Sequence, residues 1–253
     1  MVDSELRRIV VLTGAGISAE SGIRTFRAAD GLWEDHRVED VATPEAFRRD
    51  PELVHRFYNA RRRQLIGDET QAAVCANAAH LALAAFERAH LSRGVDHRFL
   101  LVTQNVDDLH ERAGSEHLVH MHGELLKMRC ADSDRVYPWT ADCSPSTHCP
   151  CCNRTGTLRP HIVWFGEVPF QMDAIVDQLQ KCDLFVSIGT SGNVYPAAGF
   201  FQIAQHHGAR TAELNLEPSK NTSLFDEGHF GPATQVVPPF FEQLIEKQKT
   251  LAP

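Results

Sequence analysis

The chain has 253 residues, 43% of them hydrophobic, a net charge of −8 and a pI near 5.9. That length fits one large α/β domain with a small insert, and the acidic balance argues against nucleic acid or an anionic membrane as a main partner. No apolar run reaches the roughly 20 residues that span a bilayer. The stretch from Met1 to Arg8 is too polar for a secretory signal, and seven cysteines, four of them between Cys143 and Cys152, point to a reducing cytoplasm with the cluster as a candidate metal site.

Ile9 to Leu12 is an apolar, β-branched run that predicts a buried parallel strand, residues 9–13. Gly14-Ala15-Gly16 lets the backbone turn tightly and approach a ligand; Ser18 or Ser21 is then expected to cap a short helix whose N–H groups face a phosphate. Gly14-x-Gly16-x-x-Ala19 fits the dinucleotide fingerprint, although an ordinary glycine-rich turn fits it about as well. Gly22 cuts the helix short, and the arginine-bearing loop that follows, closing at Gly31-Leu32-Trp33, reads as a lid over a cofactor.

Residues 34–75 read as a helical insertion. Thr43-Pro44-Glu45 is a cap with proline at the first helical position, and a long helix ends near Gly67. Residues 77–90 predict a helix with Leu81, Leu83 and Phe86 inward. Residues 99–103 are a second buried strand, ending in Gln104-Asn105-Val106-Asp107-Asp108. His117 to His122 alternates, with Val119 and Met121 on one face and His120 and His122 on the other. Residues 129–160 carry cysteines and prolines with little periodicity, an irregular insert. Residues 184–188 are a further strand ending in Gly189-Thr190-Ser191-Gly192; a helix over 196–207, a strand over 211–215, then a last strand or turn and a helix over 236–247 complete the chain.

Such an order predicts an α/β fold, a Rossmann-like parallel sheet covered by helices, with ligands outside the carboxyl ends of the strands. Gly14 to Ser18, Gln104 to Asp107, His122, Gly189 to Ser191 and Asn215 to Glu217 then converge. His122 is nearest the crevice and is the candidate general base, with His120 its competitor. Asn105 and Asp107 offer a carboxamide one donor and one acceptor side, or cap the next helix. Tyr58 and Arg61 share a helix face and suit a carboxylate, while Arg56, Arg62 and Arg63 read as a solvated basic face. Cys149-x-x-Cys152 and Cys130, eighteen residues before Cys149, are close to a four-cysteine zinc spacing. Ser133 stands where the next cysteine is expected, which leaves Cys143, Cys151, His148 or an aspartate for the fourth place. Cys75 and Cys182 read as core thiols.

Gly14-Ala15-Gly16-Ile17-Ser18 with Ser21-Gly22-Ile23 and Phe26-Arg27, then Thr103-Gln104-Asn105-Val106-Asp107, His122-Gly123, Gly189-Thr190-Ser191 and Asn215 together resemble the sirtuins. Ala42 before Thr43-Pro44-Glu45, with Tyr58-x-x-Arg61, resembles the class III branch that includes the bacterial CobB-type enzymes. Ser133 in the cysteine pattern and Ala76 before Asn77 depart from it. The resemblance implies an NAD-dependent protein-lysine deacylase: acyl-lysine enters, nicotinamide leaves, and the acyl group ends on ADP-ribose. It implies a Rossmann-like domain (1–35, 76–128 and 161–253), a helical module (36–75) and a small zinc module (129–160). Gly14, Ala15, Gly16, Ile17 and Ser18 would take the phosphates, and Phe26 and Arg27 would belong to a mobile cofactor loop. Gln104, Asn105 and Asp107 would line the ribose and nicotinamide pocket. Gly189, Thr190 and Ser191 would hold the phosphate and ribose side, Asn215 and Glu217 the adenosine end. His122 would be the base, Tyr58 and Arg61 would bind a succinyl or malonyl carboxylate, and Cys130, Cys149 and Cys152 would hold structural zinc. A mono-ADP-ribosyltransferase or NAD glycohydrolase, a hydride-transferring oxidoreductase and a zinc-ribbon binding module are the rival readings.

Overall fold

The computed structural model describes residues 6–24, 32–33 and 36–250, so Phe26 and Arg27 lie outside the described residues. In chain order, β1 (Arg8–Thr13) leads into two short 3-10 turns, Ala15–Ile17 and Ala19–Ser21. A ribbon of β2 (Leu32–Trp33) and β3 (His36–Arg37) comes next, then α1 (Val38–Val41), α2 (Pro44–Arg49) and α3 (Pro51–Ile66). After these come α4 (Ala78–Leu91), β4 (Arg98–Thr103), α5 (Leu109–Ala113), β5 (Leu118–His120), β6 (Gly123–Cys130), β7 (Val136–Pro138) and β8 (Leu158–Ile162). The chain closes with α6 (Met172–Leu179), β9 (Leu184–Ile188), α7 (Phe200–His206), β10 (Arg210–Asn215), β11 (Glu227–Phe230) and α8 (Ala233–Thr250).

The large sheet runs β11-β10-β9-β1-β4-β5 and every pairing in it is parallel. The chain steps outward from β1 through β4 and β5 on one side, then through β9, β10 and β11 on the other. The crevice between β1 and β9 is therefore a topological switch point, where open α/β sheets bind ligands. Thr13 pairs with both Thr103 and Ile188, so three loops leave the sheet at one level.

Both faces of the sheet are covered because β1 is apolar on both. Ile9 and Val11 pack with Leu83, Phe86 and Phe241 under α4 and α8; Val10 and Leu12 pack with Ile175, Phe185 and Phe200 under α6 and α7. On α4 the buried side chains include Ala79, Leu83, Phe86 and His90, at helical spacing. Leu81 falls off that stripe and is 53% exposed, contrary to the inward placement read from its hydrophobicity.

The helical insertion starts as its caps predict. Thr43 Oγ1 accepts the Ala46 amide at 3.0 Å, Asp50 Oδ1 accepts the Leu53 amide at 2.9 Å, and α3 ends at Gly67 with φ +75°. The cysteine-bearing insert is more regular than its sequence suggests, since β6, β7 and β8 form an antiparallel sheet in the order β7-β6-β8. Leu125, Ile162 and Trp164 join the helical module in a third core with Val54, Phe57 and Tyr58. The expected strand or turn near residue 236 is absent, because α8 runs unbroken through Pro238 and Pro239. Cys182 is buried as expected, but Cys75 is exposed. Among the described residues no helix is long and apolar enough to cross a membrane.

Candidate active site

The turn after β1 is glycine-rich because two loops touch there. A Cβ on Gly14 would lie 2.8 Å from the Gly189 oxygen, and one on Gly16 would lie 2.7 Å from Gly189 Cα. Gly189 itself has φ +60°. Four amides of this turn donate inside the fold: Gly14 to Ile188 O, Gly16 to Gly189 O, Ile17 to Gly14 O and Ser18 to Ala15 O. The glycines therefore serve the contact of two backbones, and most of the amides from Gly14 to Ser18 are occupied within the fold. Ser18 stands at the N-cap of the Ala19–Ser21 turn but makes no side-chain cap hydrogen bond, and Ser21 lies inside that turn. Asn77 does make one, accepting the Ala79 amide and donating to Ile17 O at 2.8 Å and to Ser21 Oγ at 3.0 Å.

Ser18 instead centres a buried polar network. The Asn105 amide nitrogen donates to Gly14 O and to Ser18 Oγ, both at 3.1 Å, and Ser18 donates to Asp107 Oδ2 at 3.1 Å. His80 completes the hydroxyl. Its Nδ1 accepts the Asn77 amide, so Nε2 carries the hydrogen and donates to Ser18 Oγ at 3.4 Å. Burial drops the His80 imidazole to about 4, which keeps it neutral. Asp107 accepts the Leu109 amide on its other oxygen, and burial pushes its carboxyl up to about 6. Asn105 and Asp107 are thus held rigidly, with Asp107 also anchoring the start of α5. Below them Thr13 donates to Thr103 at 2.9 Å, Thr103 accepts the Asn105 amide, and His110 Nε2 donates to Thr13 Oγ1 at 3.0 Å. The sequence reading missed His80 and His110. Their signal was position alone, three residues past a helix cap for His80 and the second residue of α5 for His110.

His122 is half-buried just beyond β5, and its Nδ1 lies 3.2 Å from the Gln104 carbonyl. A carbonyl only accepts, so Nδ1 carries the hydrogen and Nε2 the lone pair. Burial, partly offset by that hydrogen bond, holds this imidazole below its ordinary value. His120, the competitor, is occupied at both nitrogens, by the Asn105 carbonyl at 3.3 Å and by Glu111 at 2.7 Å. Gln104 Nε2 donates to Thr190 Oγ1 at 3.1 Å, and Asn215 Nδ2 donates to Thr190 O at 2.9 Å, which ties the three loops together. Ser191 and Glu217 are exposed at the rim. Buried Glu213, also missed, accepts from Ser219 N and Thr222 Oγ1 and fixes the loop beside Asn215.

Tyr58 is fully buried, and its phenolic oxygen accepts Trp164 Nε1 at 3.0 Å. The Arg61 guanidinium lies over the Phe57 ring at 4.0 Å, one turn along α3, and its charge acts on the phenol. The backbone links this end to His122, since the Val163 amide donates to His122 O at 2.9 Å. Arg62 is not solvated as expected. It is 1% exposed and donates to Leu125 O, Asn59 Oδ1 and Ala141 O, joining α3 to the small module.

Cys130, Cys149, Cys151 and Cys152 bring their sulfurs within 4.8 Å of one another. Four thiolates at that spacing match a tetrahedral zinc site with bonds of about 2.3 Å. Cys151 supplies the fourth sulfur and lies 3.3 Å from the hydroxyl of Ser133, the residue at the departed position. Cys143 stands apart, its backbone clasped by Asn59, and His148 is turned to Asn153 O.

A parallel sheet that narrows to a glycine contact at its switch point, with an oriented imidazole in the loop after β5, defines an α/β dinucleotide-binding class of enzyme. A profile of the Sir2 family matches residues 14–196, and the chain belongs to that family. It is 62% identical over 242 residues to an NAD-dependent protein deacylase of Shigella flexneri, covering 96% of this chain and 85% of the relative. Among solved structures it resembles a mutant Sir2 homologue in complex with ADP-ribose, at TM-score 0.85 and 35% identity over 98% of this chain and 96% of that one. It also resembles a Sir2 homolog–NAD complex, at TM-score 0.81 and 35% identity over 97% and 91% of the two chains.

Proposed function

We propose that this chain is an NAD-dependent protein-lysine deacylase that removes acetyl groups, and also succinyl and malonyl groups, from lysine, releasing nicotinamide and acyl-ADP-ribose. The observation that carries the reading is the tautomer of His122: with Nδ1–H held by Gln104, the basic Nε2 is left to take a proton. When bound, NAD supplies a glycosidic bond whose cleavage exposes a ribose carbon to the acyl oxygen of the lysine amide.

The residues present fit that group. Gly14, Ala15, Gly16, Ile17 and Ser18 with Gly189 and Thr190 wall the phosphate side of a crevice with no room for a Cβ at its neck. Gln104, Asn105 and Asp107 form the nicotinamide and ribose side. There the fixing of the Asn105 nitrogen on Gly14 and Ser18 sets the direction of its carbonyl. Ser191 stands with Gly189 and Thr190 on the phosphate and ribose side, and Asn215 and Glu217 face the adenosine end. His122 Nε2, the ring nitrogen with the lone pair, would accept and hold the proton of a ribose hydroxyl. Tyr58 O–H and the Arg61 guanidinium receive the carboxylate of a dicarboxylic acyl chain. Cys130, Cys149, Cys151 and Cys152 hold a structural zinc, and the reduced thiols suit the cytoplasm.

Acetyl-, succinyl- and malonyl-lysine peptides incubated with NAD, with products read by mass spectrometry, test this. Free lysine with acyl-ADP-ribose is the expected result. ADP-ribosylated protein, or free ADP-ribose without deacylation, would assign the chain to the transferase or glycohydrolase class instead.

A further inference from the structure

His120 and His122 present their Nδ1 atoms to two successive carbonyls, those of Asn105 and Gln104. A carbonyl only accepts, so both nitrogens carry hydrogen. The rings differ at Nε2. In His120 this atom meets the Glu111 carboxylate at 2.7 Å, another group that only accepts, so Nε2 carries hydrogen as well and the ring is an imidazolium. With both nitrogens donating, it has no lone pair for a substrate proton or for a cation.

The surroundings favour that charge. Glu111 on α5 pairs with it directly, with the His120 side chain 9% exposed and Glu111 41%. Glu124 on β6 adds a second carboxylate, itself paired with Lys127 at 2.7 Å. Asp107, in the loop before α5, faces it; buried His110 behind it and His161 on β8 are both held below their ordinary values by burial. Glu116 shares the open groove of about 470 Å³ in which Glu111, His120 and Glu124 lie, so protons reach the pair from solvent.

We propose that the Glu111–His120 ion pair is a positioning device for the nicotinamide-side loop, with the imidazolium fixing the Asn105 carbonyl and its deprotonation releasing it. A neutral His120 has one ring hydrogen for two acceptors. Keeping it on Nε2 for Glu111 turns the Nδ1 lone pair onto the Asn105 carbonyl and repels the loop. Burial alone would lower this imidazole, but the hydrogen bond and charge of Glu111 outweigh it and hold it above its ordinary value. His122 lies on the other side of that value. Activity therefore rises as His122 loses its proton and falls as His120 loses its own.

The inference rests on the deacylase reading, and two readouts keep them separable. The first is kcat/KM for NAD with an acetyl-lysine peptide over about pH 5 to 9; the second is the ¹⁵N ring shifts of the histidines. Wild type is expected to give a bell-shaped profile and a doubly protonated His120 at neutral pH. Glu111→Gln keeps an acceptor without the charge. Its descending limb should move about one unit down, with KM for NAD about tenfold higher on the alkaline side. His120→Asn, whose amide donates at any pH, should lose the descending limb. A limb unmoved in both variants, or a singly protonated His120 at neutral pH, overturns the proposal. If His120→Asn does not fold, Glu111→Gln and the ring shifts decide. A wild-type chain that does not deacylate sinks the function but leaves the ring shifts to report the ion pair.

Discussion

The indole of Trp164 donates to the phenolic oxygen of Tyr58 at 3.0 Å, in a place where neither ring reaches solvent. That hydrogen bond seats the phenol against the indole in the core beside α3. Burial pushes the Tyr58 hydroxyl well above its ordinary value, so it stays a donor at every working pH. Tyr58→Phe and Arg61→Met are therefore expected to lower kcat/KM for succinyl-lysine peptides by roughly one to two powers of ten, the loss of a charge-assisted hydrogen bond. Acetyl-lysine turnover should fall far less. An equal fall for both peptides would place the carboxylate elsewhere.

With His122 as the proposed base, the acid limb of the pH profile follows its imidazole. A general base works only when neutral, so turnover rises with pH through the His122 value, which burial holds below the ordinary 6.5. The ascending limb of kcat/KM should lie below that figure, and His122→Ala should abolish removal of every acyl group. A limb above it, or substantial turnover in the alanine variant, would mean that another group takes the proton.

The legibility of the sequence was uneven for physical reasons. The buried strands were readable because β-branched runs end in small or polar residues, and the convergence of Thr13, Thr103 and Ile188 follows from parallel order. His80, His110 and Arg62 were not readable, because a buried polar group leaves no periodic trace and its partners lie far away in the chain. Glu111 was hidden for a different reason: it is exposed and looks like an ordinary surface residue until His120 is placed beside it.

The cysteine cluster separates ligands that the spacing left open. Cys149-Pro150-Cys151-Cys152 offers three thiols in four positions, and only the placement of Cys130 at the end of β6 decides which join it. Purified protein is expected to carry about one zinc per chain, lost in Cys151→Ser and kept in Cys143→Ser. Metal analysis with a thermal melt reads both, and the metal-free form should melt lower because ligand binding energy is folding energy. Retention of zinc in Cys151→Ser would return the fourth place to another residue.

Arg62 is the clearest stability test. Its guanidinium is buried between α3 and the small module and is held by carbonyl and amide oxygens, with Met128 Sδ at 3.5 Å. Removing it strands the Leu125 and Ala141 carbonyls and leaves a cavity the length of the side chain. Arg62→Ala is expected to cost about 3 kcal/mol or more, since each hydrogen bond to a charged group contributes roughly 1.5–3 kcal/mol and the partners left behind are desolvated. Arg63, exposed and paired with Asp142, is the control: Arg63→Ala should cost less than about 1 kcal/mol. Urea unfolding of the two variants compares them directly. Equal midpoints would show that solvent reaches Arg62 and that α3 and the small module are not fastened there.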